Sequence, residues 1–144
     1  MSMQPRLVGQ TKSAGFQVGV RRTFPVSLDD AWRFLTSERG VDIWLGEPLS
    51  LRFVVGETFT TTDGTTGTIR VVNPRVNIRL TWQPPEWQQP STIQVRTIAN
   101  GEQTTISFHQ EQLAGARERA HMQQHWQRVL ETFQTLFAER APVE

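Results

Sequence analysis

Apolar and polar positions alternate with a period of two along most of this chain, then change near the C terminus to a period of 3.6. Phe16, Val18, Val20 and Phe24 alternate with Gln17, Gly19, Arg21 and Thr23, which predicts a half-buried strand, and Arg22 shares the apolar parity. Ser27 ahead of Leu28, Asp29 and Asp30 has the form of a helix N-cap with carboxylates in the first turn. Ala31, Trp32, Phe34 and Leu35 supply that helix with an apolar face, Gly40 is expected to close it, and Val41 to Leu45 predicts a second short helical turn.

From Leu51 the period is two, with runs at Leu51 to Val55, Glu57 to Thr62, Gly67 to Val72, Val76 to Trp82, Thr92 to Ala99 and Thr104 to Gln110. Asp63-Gly64 and Asn100-Gly101 are hairpin dipeptides that tolerate positive φ, and Asn73-Pro74 marks another reversal. Pro84, Pro85 and Pro90 predict an exposed connection around Trp87, because proline cannot donate to a sheet ladder. The inner faces are expected to be Val76, Ile78, Leu80 and Trp82, then Ile93, Val95, Thr97 and Ala99, then Ile106, Phe108 and Gln110. The intervening residues, such as Arg79, Gln94 and His109, are expected to meet water.

The run from Glu118 to Glu139 is helical in period, with Met122, Trp126, Val129, Leu130, Phe133, Leu136 and Phe137 in one sector about 120° wide. So broad an apolar face needs a concave partner, and a strongly curved antiparallel sheet supplies one. The expected architecture is α+β: about six or seven antiparallel strands wrapped around a long C-terminal helix, with two short helices after the first strand. The expected domain spans 15–139, after a flexible lead at 1–14 that lacks periodicity and before a short tail at 140–144.

Composition narrows the function. The 144 residues suit one core, and a net charge of +1 offers no footprint for a nucleic-acid backbone. Apolar runs fall well below a membrane span and the start of the chain has no hydrophobic signal region, so a cytoplasmic address is expected. With no Cys, no Tyr and a single Lys, Lys12, thiol, tyrosyl and Schiff-base chemistry have no residues to use. No nucleophile elbow, phosphate loop or dinucleotide glycine pattern occurs, and no catalytic set, cofactor or metal site is assigned.

The stretch VRRTFPVSLDDAWRFLTS, then Trp44-Leu45-Gly46, Gly56-Glu57-Thr58-Phe59, Leu80-Thr81-Trp82, Ser91-Thr92-Ile93 and the Trp126-to-Phe137 helix together resemble the START-like (SRPBCC) superfamily. Within it, the chain is most similar to the family named for the activator of the 90-kDa heat-shock protein ATPase, over about residues 16 to 138. The resemblance implies the birch-pollen-allergen-like helix-grip, with a hydrophobic cavity between sheet and terminal helix. Arg22, Phe24, Trp32, Trp44, Gly46, Trp82, Ser91, Thr92 and Trp126 fall on positions the family favours, whereas Gln110 stands where many relatives carry His and Ser27 where Pro is common. In the eukaryotic activators the namesake activity resides largely in a separate N-terminal domain, for which this chain has no room, so chaperone stimulation is not expected.

Several residues admit two readings. His121 and His125 stand one helical turn apart beside the apolar sector, as solvated flanking residues or as a weak zinc pair. Arg22 and Gln110 share parity with core residues, and each either finds a local partner such as Glu111 or anchors a polar group at a cavity mouth. Trp44, Trp82 and Trp126, with Phe59 and Phe108, either fill the core or line a pocket, and Trp87 is a loop anchor, a lid or a partner contact.

The expected function is binding of an apolar or amphipathic, lipid-like or aromatic small molecule between sheet and helix. The expected contacts are Arg22, Trp44, Phe59, Ile69, Leu80, Trp82, Ile93, Val95, Phe108, Gln110, Met122, Trp126, Val129, Leu130 and Phe133. The alternatives are a cyclase or hydrolase using the same cavity, and a stress-related protein-interaction module whose cavity its own side chains fill. The chain is expected to be a monomer or a homodimer.

Overall fold

The structure, a computed structural model, describes residues 10, 11 and 15–139. Ten elements follow in order: β1 (Gln10–Thr11), β2 (Gly15–Phe24), α1 (Leu28–Leu35), α2 (Glu38–Trp44), β3 (Thr58–Thr60), β4 (Thr66–Asn73), β5 (Asn77–Trp82), β6 (Ser91–Asn100), β7 (Gln103–Leu113) and α3 (Ala116–Glu139). All strand pairings are antiparallel, in the order β1-β2-β7-β6-β5-β4-β3, and the result is the expected helix-grip. The long β6–β7 and β2–β7 ladders carry the centre of the grip. Register breaks between Phe16 and Val18 and between Ile69 and Val71 bend the ladders there, where an extra residue increases local twist.

The helical corner follows from its caps. Ser27 Oγ accepts from Asp30 N and Ser37 Oγ from Gly40 N, both at 3.1 Å, so each short helix starts on a serine. Gly40 does not close α1, contrary to the sequence expectation: α1 ends at Leu35 with Thr36 as its C-cap, and Gly40 lies inside α2. Its role is close approach, because a Cβ there would lie 1.9 Å from the Phe34 carbonyl oxygen.

Other expectations need revision. Leu51 to Val55 is not a strand: Leu51 and Phe53 are half-buried against the core, while Val54 N bonds Arg52 O and Glu57 N bonds Val54 O in local turns. The segment around Pro48 instead runs antiparallel to Thr61, with Leu49 N on Thr60 O and Thr62 N on Glu47 O. Within the stretch read as a flexible lead, Gln10–Thr11 pairs with β2; the rest of 1–14 and the tail 140–144 lie outside the described residues. Val76 occupies the β4–β5 turn and is exposed, as is Ala99 at the end of β6, since alternation carries a side chain inward only while the strand remains under the helix. Gly64 (φ 89°) and Gly101 (φ 65°) make the expected positive-φ turns.

The terminal helix starts two residues earlier than its apolar period suggests, at Ala116. Its seven predicted inward residues, Met122, Trp126, Val129, Leu130, Phe133, Leu136 and Phe137, are all buried. They meet Val18 and Phe24 of β2, Ile78 and Leu80 of β5, Ile93 and Val95 of β6, Ile106 and Phe108 of β7, and Phe34 and Leu35 of α1 in one core. No helix among the described residues is long and apolar enough to cross a membrane.

Candidate functional site: an aromatic interior beneath an acidic cleft

Between the sheet and α3 the space is hydrophobic and dominated by rings. Phe108 of β7 stacks on Trp126 of α3 (centroids 4.5 Å apart, planes at 15°) and lies 5.9 Å from Trp44 of α2. Trp44 in turn is stacked on Phe53, at 6.4 Å and 20°. Phe53, Trp44, Phe108 and Trp126 thus form a continuous column from a half-buried ring to a fully buried one. Farther along α3, Phe133 and Phe137 pack edge-on against Phe34, at 5.1 and 5.2 Å, in the offset geometry that aromatic quadrupoles favour.

Of the residues expected to contact a ligand, Trp44, Phe59, Ile69, Leu80, Ile93, Val95, Phe108, Gln110, Met122, Trp126, Val129, Leu130 and Phe133 are buried. The ring column brings Trp44, Phe108 and Trp126 together, with Phe133 6.0 Å from Phe108. Two residues stand apart. Arg22 is half-buried and its Nη1 donates to Gln134 Oε1 at 2.8 Å, so its head lies at the exposed flank of α3. Trp82 is half-buried, with its Nε1 donating to the Leu45 carbonyl at 3.1 Å and its ring edge-on to Trp87 at 5.5 Å. Trp87 therefore anchors the proline-bounded loop.

A short polar chain crosses this interior. Trp126 Nε1 donates to Gln110 Oε1 at 2.9 Å, Gln110 Nε2 donates to Ser91 Oγ at 2.9 Å, and Ser91 Oγ donates to the Trp82 carbonyl at 2.7 Å. Gln110 is paired with these two residues and not with Glu111, whose carboxylate accepts from Arg79. The buried polar residues among those described are Thr61, Thr65, Ser91, Thr97, Thr104 and Gln110, none of which titrates in the ordinary pH range. Thr97 Oγ1 alone among the buried side-chain atoms described has no partner.

The histidines take different places. His109 faces outward with Nε2 2.8 Å from Gln17 Oε1, and His121 is exposed. His125 is not simply solvated: it is half-buried, with Nε2 3.3 Å from the Trp44 carbonyl and its ring edge-on to Trp126 at 4.7 Å. Burial pushes its pKa down, against the hydrogen bond to Trp44, and the charges of Arg128 and His121 push it the same way as burial. Among the described residues no three His, Cys, Asp or Glu side chains gather as metal ligands.

Above the ring column lies a cleft of about 430 Å³. Thr36, Glu38, Val41 and Asp42 wall it from the helical corner, and Glu47, Pro48, Leu49, Leu51, Phe53 and Thr62 wall it from the segment leading to β3 and just beyond. Val41, Leu51 and Phe53 give its lining an apolar part, and Glu38, Asp42 and Glu47 add three carboxylates. Sequence reasoning did not single out Phe53 or these acids. The available signal was the i, i+4 spacing of Glu38 and Asp42, which puts both on one helix side.

Comparison with solved structures returns the same grip. CalU16 from Micromonospora echinospora superposes with a TM-score of 0.73 at 21% identity, covering 88% of this chain and 80% of that one. Protein MLL2253 from Mesorhizobium loti gives 0.74 at 18% identity, with 88% and 99% covered. The Aha1 dimer from Colwellia psychrerythraea gives 0.68 at 17% identity, with 82% and 92% covered. At such identities the likeness concerns the fold. A search of curated proteins returned no significant match. The family profile described as Activator of Hsp90 ATPase homolog 1-like protein matches residues 25–138, from the end of β2 through α3. With most of its length matched and the START-like helix-grip in place, the chain belongs to the family of activator of Hsp90 ATPase homolog 1-like proteins.

Proposed function

We propose that this protein binds an apolar or amphipathic small molecule between the sheet and α3, admitted through the cleft beside α2. The observation that carries the reading is the position of Phe53: a half-buried ring on an irregular segment, stacked on the fully buried Trp44 and lining the 430 Å³ cleft. Phe53 therefore touches both the cleft and the aromatic column. A guest that displaces it gains apolar contact on Trp44, and each square ångström removed from water contributes roughly 25 cal/mol. The interior polar groups suit binding better than catalysis, because Gln110 and Ser91 can orient a guest but supply no acid or base near neutral pH.

The test is a titration of the full chain with Nile red and with 1-decanol, followed by dye emission and tryptophan fluorescence. Saturable one-to-one binding is expected, and Phe53→Ala should bind faster because its gate is gone. Failure of both proteins to bind either probe overturns the reading.

The interaction-module reading retains one specific support. Leu49, Val54 and Val55 are 72%, 53% and 61% exposed on the segment that carries Phe53, an apolar cluster suited to a protein surface. A homodimer is one form of this reading, and the Colwellia relative is described as a dimer. Sedimentation that shows a monomer at all concentrations, unchanged by Val55→Asp, would remove the dimer form.

A further inference from the structure

We infer that the cleft beside α2 selects cationic amphiphiles: molecules with an apolar tail and a single ammonium head. The inference rests on the binding reading above and names its ligand class. Glu38 and Asp42 stand on α2 one turn apart, and Glu47, on the segment after the helix, lines the same cleft. Like charges at this helical spacing repel, so a cation between them relieves an existing cost.

None of the three carboxylates has an ion-pair partner among the described residues, although the chain is rich in arginine. The nearby Arg52 is held by Glu57, with Nε 3.0 Å from Oε1, and Arg39 does not line the cleft. The cleft thus carries three negative charges in a protein whose overall charge is +1. Its lining is mixed, so a purely ionic ligand would leave Val41, Leu51 and Phe53 unused, and a purely apolar one would leave the carboxylates unanswered. A tail passing Val41, Leu51 and Phe53 toward the aromatic column, with an ammonium left among the carboxylates, satisfies both, whereas a fatty carboxylate meets like charge at the entrance.

The test compares probes with equal tails: decyltrimethylammonium, 1-decanol and decanoate, each kept below its micelle concentration in low-salt buffer at neutral pH. Decyltrimethylammonium should bind about tenfold tighter than decanol, the size expected of a few partly exposed ion pairs. Decanoate should bind more weakly than decanol, and high salt should compress the differences. The variant Glu38→Gln, Asp42→Asn, Glu47→Gln, which changes exposed side chains, should lose the preference, its affinity for decyltrimethylammonium falling to that for decanol. Equal affinity for the three probes, or a preference that survives in the variant, overturns the charge selection while leaving the binding reading intact. Absence of binding by all three overturns both.

Discussion

Trp126 on the terminal helix and Gln110 on β7 are joined by a 2.9 Å hydrogen bond in the buried interior, the indole donating to the amide oxygen. The bond fixes the helix on the sheet in a way that ring packing, being less directional, does not. Gln110 also holds Ser91, so one amide satisfies two buried partners.

Gln110→Leu should therefore destabilise the fold by about 1–3 kcal/mol, since the indole N–H of Trp126 is left without an acceptor in an apolar surround. Urea unfolding measures the loss. Adding Trp126→Phe should cost less than the two single changes summed, because the orphaned donor is removed with its partner.

Phe133 lies within 6.5 Å, centroid to centroid, of Phe24, Phe34, Phe108 and Phe137. Phe133→Ala should cost about 3–5 kcal/mol, the range for removing a large ring from a packed core. Thermal and urea melts check this.

Gly40→Ala should disrupt the α1–α2 corner, because its Cβ would lie 1.9 Å from a backbone oxygen that has no rotamer to adopt. The cost should meet or exceed the upper end of the roughly 1–3 kcal/mol of ordinary overpacking. Gly101→Ala provides the contrast: its φ is 65° with nothing within 4 Å of the added carbon, so only the left-handed backbone cost of about 1 kcal/mol applies. Melting temperatures of the two variants should fall in that order.

His125 makes stability pH-dependent. Its pKa lies below the ordinary 6.5 when folded, chiefly through burial, so the unfolded chain takes up its proton first as pH falls. Its contribution is complete above the ordinary value, declines on acidification below it, and levels off once the folded imidazole is itself protonated. His125→Gln should lose less stability than the parent between neutral pH and about pH 5. Urea midpoints of both proteins at the two pH values give the comparison.

Much of the fold was legible in the order of apolar residues, because burial on one side of an element imposes that element's own period. Every residue of the broad α3 face is buried as its spacing implies, and Ser27 caps α1 as its neighbours suggest. Leu51 to Val55 misled for a definite reason: alternation records which side chains turn inward, not whether the backbone between them finds a ladder partner. There Leu51 and Phe53 pack on the core while the backbone closes local turns.

The candidate site was only partly visible. Trp44, Phe108 and Trp126 could be assigned to the interior one by one, but their stacking into a column with Phe53 depends on three elements that are remote in the chain. Gln110 and Arg22 shared an inward parity, yet one is sealed inside by Trp126 and Ser91 and the other reaches Gln134 at the surface. The difference lies in reach and in the partners that tertiary contact provides.

The sequence alone determined the grip: a wide-faced terminal helix, two-period strands and a first short helix capped by Ser27 are local consequences of where water is excluded and of the residues beside each helix start. Only the tertiary structure decided which ring lies against the buried Trp44 and which carboxylates line the cleft, because Phe53, Trp44, Glu38, Asp42 and Glu47 come together only when α2 and the segment before β3 fold against each other.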